Sequence, residues 1–344
     1  MAAGPVGRLL LDSAGPFRSL TIIGDTNGSL TLGAHELLGA EDIRVHQDEL
    51  RAERELAARA ATLGLTGVYH GGPLGAELVT DADLVLMPAP KSLDVVGRVA
   101  ALVARYADPS VRLLIGGRVK HLSLRMNNIL AVSFDSVRAG RARQKSRVIT
   151  ACRPRPDVDP GAPARAWHGD VGLWAVAVAG TFAGARLDIG TRFLLQFVDQ
   201  MPSGRALDLG CGSGLLAAAL ARRGDEVTAT DQSSAALEST ALTAAANAVR
   251  VTTARTDAGD GLAAASFDLI VLNPPFHAGT DLDTDLALRL FDGAARLLRP
   301  GGEVWCVYNS HLRYRTQLSR RVGPTRQIGR NPKFTVTAST RAER

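Results

Sequence analysis

The sequence predicts an α/β protein made of two tandem units, each with a largely parallel sheet. Three observations predict it. Short apolar runs alternate with Ala-, Leu- and Arg-rich helical stretches along both halves, which is the pattern of strand–helix–strand units. Each half has an apolar run entering a glycine-containing turn and a helix, at residues 24–30 and 208–216. Each later has an apolar run stopped by prolines, at Pro88-Ala89-Pro90-Lys91 and at Asn273-Pro274-Pro275-Phe276. The halves therefore read as a degenerate internal repeat, with the first copy lacking the Asn, the Phe and the tight glycine pattern.

Taken in order, Leu-Thr-Ile-Ile-Gly at 20–24 is a buried strand, running into a turn and a helix. Residues 52–63 are helical, 83–87 a short strand, 93–106 a helix and 111–115 a strand. Residues 137–151 read as a closing hairpin. Pro154, Pro156, Pro160, Gly161 and Pro163 crowd the stretch 153–165, which predicts an irregular linker. The expected division is thus 1–152, linker 153–165, and 166–344. In the second half, 174–179 is extended, 192–199 helical, 205–209 a strand and 215–223 a helix. Strands follow at 226–230 and 249–254, with a helix at 235–247 between them. The run Phe-Asp-Leu-Ile-Val-Leu at 267–272 is the central buried strand. A helix at 285–298 stops at Arg299-Pro300-Gly301-Gly302; a strand at 303–308, a helix at 311–322 and an edge strand at 333–338 complete the chain.

Composition bounds the function. The 344 residues suit two domains, and 46% apolar content with near-zero mean hydropathy is that of a soluble globular protein. No apolar run approaches the roughly 18 residues of a membrane span, and the first residues have no apolar core of a secretory signal. Cys152, Cys211 and Cys306 are odd in number and far apart, which fits a reducing cytoplasm rather than a disulfide framework. The seven histidines are scattered, so no metal site is expected. The net charge of +6 is uneven: residues 109–156 hold eleven Lys/Arg against Asp135 alone. The stretch from His311 holds nine Lys/Arg against Glu343. Clustered positive charge suggests a polyanion such as nucleic acid, or a solvated basic surface.

Chemistry concentrates at two turns. Two prolines after the run 267–272 force the backbone to turn at the strand's carboxyl end, where open α/β sheets bind ligands. Asn273, the carbonyls of Pro274 and Pro275, and Phe276 present acceptors and a stacking face together, a set suited to a flat group bearing an exocyclic NH2. Upstream, Asp208-Leu209-Gly210-Cys211-Gly212-Ser213-Gly214 joins a strand to a helix. Alternate glycines let the backbone pass under a ligand, and the helix N-terminus favours a carboxylate. Leu215 stands where a dinucleotide fingerprint needs Gly or Ala, and the acid Asp208 suits a ligand ammonium better than a pyrophosphate. Asp231 ends the next strand, placed to accept both hydroxyls of a ribose. Asp257 follows the third strand and could accept from an adenine amino group. Cys211 reads as a small loop residue.

With those motifs in hand, residues 180–338 resemble the class I S-adenosylmethionine-dependent methyltransferases, in the subset whose Asn-Pro-Pro-Phe/Tyr tetrapeptide serves exocyclic or amide nitrogens. More narrowly, Gly180-Thr181-Phe182 with Leu187-Asp188-Ile189-Gly190, then Asn273 to His277, Asn309-Ser310-His311-Leu312 and Asn331-Pro332-Lys333-Phe334 resemble the ribosomal RNA guanine-N2 methyltransferases. The last two motifs look closer to the large-subunit enzyme. The resemblance implies two Rossmann-like methyltransferase folds, a degenerate RNA-gripping one followed by a seven-stranded catalytic one. It implies S-adenosyl-L-methionine as cofactor and ribosomal RNA or a ribosomal subunit as partner; the protein is expected to be a cytoplasmic monomer, with the sequence itself leaving the oligomeric state open. Residue by residue, it places Asp208, Gly210, Gly212 and Gly214 in the cofactor loop, Asp231 at the ribose and Asp257 at the adenine. It places Phe182 and Asp188 over the methionine end, and Asn273, Pro274, Pro275 and Phe276 at the reacting amine. Two alternatives stay open: a protein glutamine-N5 or adenine-N6 methyltransferase, and an RNA-binding protein with a fossil cofactor site.

Overall fold

The computed structural model describes residues 3–274 and 281–342. The chain divides into two compact units, Met1–Ala162 and Pro163–Arg344.

The first unit runs α1 (Pro5–Asp12), β1 (Leu20–Ile23), α2 (Ser29–Leu38), β2 (Ile43–His46), α3 (Leu50–Leu63), β3 (Tyr69–Gly71), α4 (Ala76–Val79) and β4 (Leu84–Pro88). It continues through α5 (Leu93–Tyr106), β5 (Arg112–Arg118), α6 (Leu124–Ser133), β6 (Phe134–Ala139) and β7 (Ser146–Pro154). The seven strands lie in the order β3-β2-β1-β4-β5-β7-β6. The first five are parallel, and β7 pairs antiparallel with both β5 and β6. Two apolar layers cover the faces. One is built on Val85, Leu113 and the α5 residues Val96, Val99 and Val103, the other on Leu10, Ile22, Leu84 and Leu56. The proline-rich stretch is shorter than its composition predicts. Arg153 and Pro154 still belong to β7, and Ala164 and Arg165 already belong to the next strand, because a strand end tolerates a proline where no ladder N–H is needed.

The second unit begins with the hairpin β8 (Ala164–His168) and β9 (Leu173–Ala177) and continues with α7 (Ile189–Leu195), β10 (Arg205–Leu209), α8 (Leu215–Arg223), β11 (Glu226–Asp231) and α9 (Ser234–Ala246). Then come β12 (Thr252–Arg255), β13 (Phe267–Leu272), α10 (Asp281–Leu297), β14 (Leu298–Asn309), α11 (Tyr314–Arg321), β15 (Thr325–Arg330) and β16 (Phe334–Thr340). The strand order β12-β11-β10-β13-β14-β16-β15 repeats that of the first unit. In β13, Leu269, Ile270, Val271 and Leu272 are all at most 1% exposed. Such a doubly buried run, each side chain worth about 1.5–3 kcal/mol, is what a central parallel strand requires.

Two expectations change here. The strand expected at the edge, β16, pairs with β14 on one side and β15 on the other. The true edge, Thr-Arg-Gln-Ile-Gly-Arg, is too polar to read as a strand, and charge is what keeps an exposed edge from pairing further. Helix α10 ends at Leu297, and Leu298 already pairs with Phe267; the ladder resumes at Leu269 and Glu303. Arg299-Pro300-Gly301-Gly302 is therefore a bulge inside a long strand.

Strand β9 is docked on α9 by side chains rather than by a neighbouring strand. The Trp174 N–H donates to Asn247 Oδ1 (2.9 Å), Val176 N–H to Thr243 Oγ1 (2.9 Å) and Val178 N–H to Ser239 Oγ (3.0 Å). Ser239, Thr243 and Asn247 are four residues apart, so they form one stripe along the helix. The stripe carries the chain to Thr181, whose hydroxyl bonds Ser239 Oγ (2.7 Å), and so delivers Phe182 to the carboxyl end of the sheet.

Candidate active site

The carboxyl ends of β10 and β13 and the start of α7 converge on a pocket bordered by Phe182, Asp188, Thr191, Gly210, Gly212 and Asn273. The glycine loop makes its floor. Gly210, Gly212 and Gly214 all have positive φ (84°, 54° and 77°), which only glycine adopts without strain. A Cβ on Gly210 or Gly212 would meet nothing within 4 Å, whereas one on Gly214 would lie 2.8 Å from Thr240 Cα. The first two glycines thus keep a cradle open, and the third lets the start of α8 press against α9.

The acids take distinct positions. Asp208 is 1% exposed and lies behind the loop, outside the pocket lining, with Oδ2 accepting the Ala217 N–H (3.0 Å) at the start of α8. Burial pushes its carboxyl up to about 7. The Asp231 charge pushes the same way, and the Ala217 N–H opposes both. Asp231 accepts the Gly212 N–H (3.1 Å) and the Ser233 N–H (3.0 Å), which ties the end of β11 to the cradle. Asp257 is 7% exposed and pairs with Arg289 of α10 at 2.6 Å. Cys211 is buried and accepts from the Thr240 hydroxyl (3.2 Å); burial raises its thiol well above its ordinary value.

Asn273 stands just past the end of β13, and its amide is oriented from α7. Asp188 is the N-cap of α7, its Oδ2 accepting the Thr191 N–H (3.0 Å). The same oxygen accepts from Asn273 Nδ2 (2.9 Å), and Thr191 Oγ1 accepts from it as well (2.8 Å). Two acceptors at one end fix which amide atom is nitrogen. Asn273 Oδ1 is consequently turned the other way, buried and without a hydrogen-bond partner among the described residues. Gly190 borders that oxygen: a Cβ there would lie 3.3 Å from Asn273 Oδ1, 3.1 Å from Asp188 Oδ2 and 3.3 Å from the Phe334 ring.

The structure therefore gathers Phe182, Asp188, Gly210, Gly212 and Asn273 around one pocket. Asp208, Asp231 and Gly214 support it from outside the lining, and Asp257 lies at the neighbouring strand end. Pro274 is buried beside Asn273. Pro275, Phe276 and His277 lie outside the described residues. Sequence reasoning quoted Gly190 only as part of a motif, and it gave no role to Thr191 or to the stripe Ser239, Thr243 and Asn247. Only the four-residue spacing of small polar residues on α9 was there to be read.

Comparison with known proteins follows the two units. Residues 172–338 match the methyltransferase small domain, and residues 9–156 match the RLMG N-terminal domain. The ribosomal RNA large subunit methyltransferase G of Streptomyces avermitilis is 32% identical over 341 residues, covering 92% of this chain and 86% of that one. This chain belongs to the ribosomal RNA large subunit methyltransferase G family. The protein of that name from Alcanivorax borkumensis is 33% identical over 331 residues, covering 92% and 82%. Among solved structures, the T. thermophilus 16S rRNA N2 methyltransferase in complex with AdoMet and guanosine superposes with a TM-score of 0.80 at 23% identity, over 98% of this chain and 92% of that one. The fold is thus a pair of Rossmann-like class I methyltransferase sheets. Among the described residues, no helix is long and apolar enough to cross a membrane.

Proposed function

We propose that this protein transfers a methyl group from S-adenosyl-L-methionine to the exocyclic N2 of a guanine in large-subunit ribosomal RNA. The observation that carries the reading is the buried Asn273 Oδ1 at the carboxyl end of β13, which has no hydrogen-bond partner among the described residues. A buried acceptor left unpaired costs about 1–3 kcal/mol, and an incoming amino group would satisfy it. The guanine amino lone pair is delocalised into the ring and is a poor nucleophile. Asn273 Oδ1 and the Pro274 carbonyl, by accepting the two amino protons, localise that pair and offset the positive charge that develops on nitrogen. Asp188 and Thr191 hold the amide so that its oxygen, not its nitrogen, faces the amine.

The open cradle at Gly210 and Gly212 fits the cofactor, and the bound cofactor supplies a methyl already activated by its sulfonium. The residues around it then need mainly to position it. Asp231 accepts the ribose hydroxyls, and Asp257 receives the adenine amino group while Arg289 fixes its carboxylate. Phe182 and Asp188 close over the methionine end. Asp208 stiffens the loop from behind, with Gly214 seated on α9. Phe276 stacks on the base, worth roughly 1–3 kcal/mol, and the base must leave its helix to reach this site. The basic face of the first unit grips RNA phosphates, and the protein works as a cytoplasmic monomer.

The test is transfer from labelled S-adenosylmethionine to deproteinised ribosomal RNA and to intact subunits from cells lacking the gene, followed by digestion to nucleosides. Label in N2-methylguanosine from the large subunit is the expected result. Label in protein glutamine or N6-methyladenosine instead would replace this reading.

A further inference from the structure

A second amide shares one feature with Asn273, a buried oxygen without a partner among the described residues. Asn309 ends β14, the parallel neighbour of β13, and its Oδ1 is also buried with no hydrogen-bond partner among the described residues. The register pairs Leu272 with Cys306. One step further sets Asn273 beside Val307, and Asn309 lies two residues beyond. By alternation Asn273 shares a face with Leu269 and Val271, and Asn309 with Trp305 and Val307. All four of those apolar side chains belong to one core layer with Leu194 and Leu195 of α7 and with Phe334. Both amides therefore face the α7 side of the sheet at its carboxyl end. From strand spacing and rise, their Cα atoms are about 8 Å apart, within joint reach of one flat base.

The backbone around Asn309 is pinned. Its carbonyl accepts the Leu312 N–H (2.8 Å), and the next residue, Ser310, donates its N–H to Lys333 (2.8 Å) and bonds Thr335 through its hydroxyl (2.9 Å). Asn309 also pairs across the ladder with Phe334, whose ring borders Gly190 and so Asn273. The side chain thus stands on a rigid turn with a desolvated acceptor at its tip.

We infer that Asn309 Oδ1 accepts the ring N1–H of the target guanine and thereby selects guanine over other 2-aminopurines. The inference rests on the proposed reading of the site. Guanine presents three N–H bonds on one edge, two from the 2-amino group and one from N1. Asn273 and Pro274 account for the amino protons, and Asn309 takes the third. A base with an unprotonated N1 would set a lone pair against this oxygen and leave the oxygen unsatisfied, the mismatch that polar sites reject most strongly.

The test uses the full-length protein and large-subunit rRNA carrying, at the nucleotide that wild-type enzyme methylates, either guanine or 2,6-diaminopurine. The latter keeps the 2-amino group but has no N1–H. Wild-type enzyme should prefer guanine by about tenfold or more in kcat/KM. Asn309→Leu should lose about tenfold on guanine and change little on diaminopurine, so that selectivity collapses. Asn309→Asp, which keeps an acceptor, should retain selectivity, and an Asn309→Ala variant repeats the measurement if the Leu variant does not fold. Unchanged selectivity in Asn309→Leu and Asn309→Ala, or an equal fall on both bases, overturns the assignment. Absence of any N2-methylguanosine with wild-type enzyme overturns the reading of the site itself, and the assignment with it.

Discussion

The two units share a sheet order but treat the turn after their first central strand differently. The Gly24 N–H donates to the His46 carbonyl as the Gly210 N–H donates to Thr230, and both Gly28 and Gly214 begin a helix with positive φ. In each, the third helical N–H is capped by a carboxylate, Thr31 by Asp25 (2.7 Å) and Ala217 by Asp208 (3.0 Å). The source of that carboxylate differs. Asp208 reaches from inside the strand and leaves the turn open. Asp25 stands in the turn at the place of Cys211, and Gln47, at the place of Asp231, donates its amide to the Asp25 carbonyl. By register, Pro88 takes the place of Asn273. Helix α1, which packs on β5 and β7 as α7 packs on β14 and β16, starts at Gly4 with no side-chain cap, where α7 has Asp188. The first copy closes its turn with Asp25 and Gln47, and the second keeps its turn open and has Asp188 and Asn273 at a pocket. The same turn holds in both units because the helix cap and the close helix approach, not the pocket, fix the loop.

Changes that erase this difference should have the largest effects. Asn273→Ala makes the second copy resemble the first at its reacting position. Methyl transfer should fall by about 10²–10³-fold, while calorimetry should find cofactor affinity unchanged; turnover near wild type would contradict the role of the amide. On the first copy, replacing Arg138, Arg141 and Arg143 by Ala removes exposed charge from the β6–β7 hairpin. RNA affinity should drop, and the slope of log K against log salt should shrink by about 0.7–0.9 for each phosphate that is no longer neutralised. A salt slope unaltered by the triple change would place the RNA elsewhere. Asp188→Ala, which copies the Gly4 situation, should cost about 1 kcal/mol of stability through the missing cap. It should also lower turnover by more than that stability loss explains, since Asn273 is freed to rotate.

Gly28→Ala and Gly214→Ala sharpen the comparison from the other side. A Cβ would lie 3.0 Å from Leu56 Cα in the first case and 2.8 Å from Thr240 Cα in the second. Both should destabilise by about 1–3 kcal/mol in denaturant titrations, and only the second should weaken cofactor binding. The smallest effect is a pH dependence. The Asp208 carboxyl is raised from 3.8 to about 7 in the folded protein. Between those values the folded state keeps a proton that the unfolded chain releases, so this group's stabilisation is full below about pH 4 and is lost as pH rises through about 7. Asp208→Asn should flatten that decline in denaturant midpoints measured from pH 5 to pH 8.

Much of the second unit was legible because its elements are doubly buried and strongly patterned. The bounds expected for β10, α8 and β13 are those observed, and the helix expected at 93–106 is α5. Elements with mixed polarity escaped. Ile-Arg-Val-His and Tyr-His-Gly do not read as strands, yet they form β2 and β3 because β1 offers β2 a parallel edge and β2 offers β3 the next. The polar β15 escaped for the same reason, which left β16 reading as the edge. Pro275 and Phe276, named from the tetrapeptide, lie outside the described residues.

By itself, the sequence determined the duplicated α/β plan, the turn at the glycine loop and the turn at Asn273. Each of these depends on local causes: apolar runs that must be buried, positive φ that only glycine adopts freely, and prolines that end a ladder. Only the tertiary structure decided that Asp208 turns inward to α8 while Asp231 turns to the cradle, and that Asp188 and Thr191 leave the Asn273 oxygen without a partner among the described residues. Those outcomes depend on which side chains compete for one N–H or one amide across 9 to 85 residues of chain, and that competition is settled by packing rather than by neighbours in sequence.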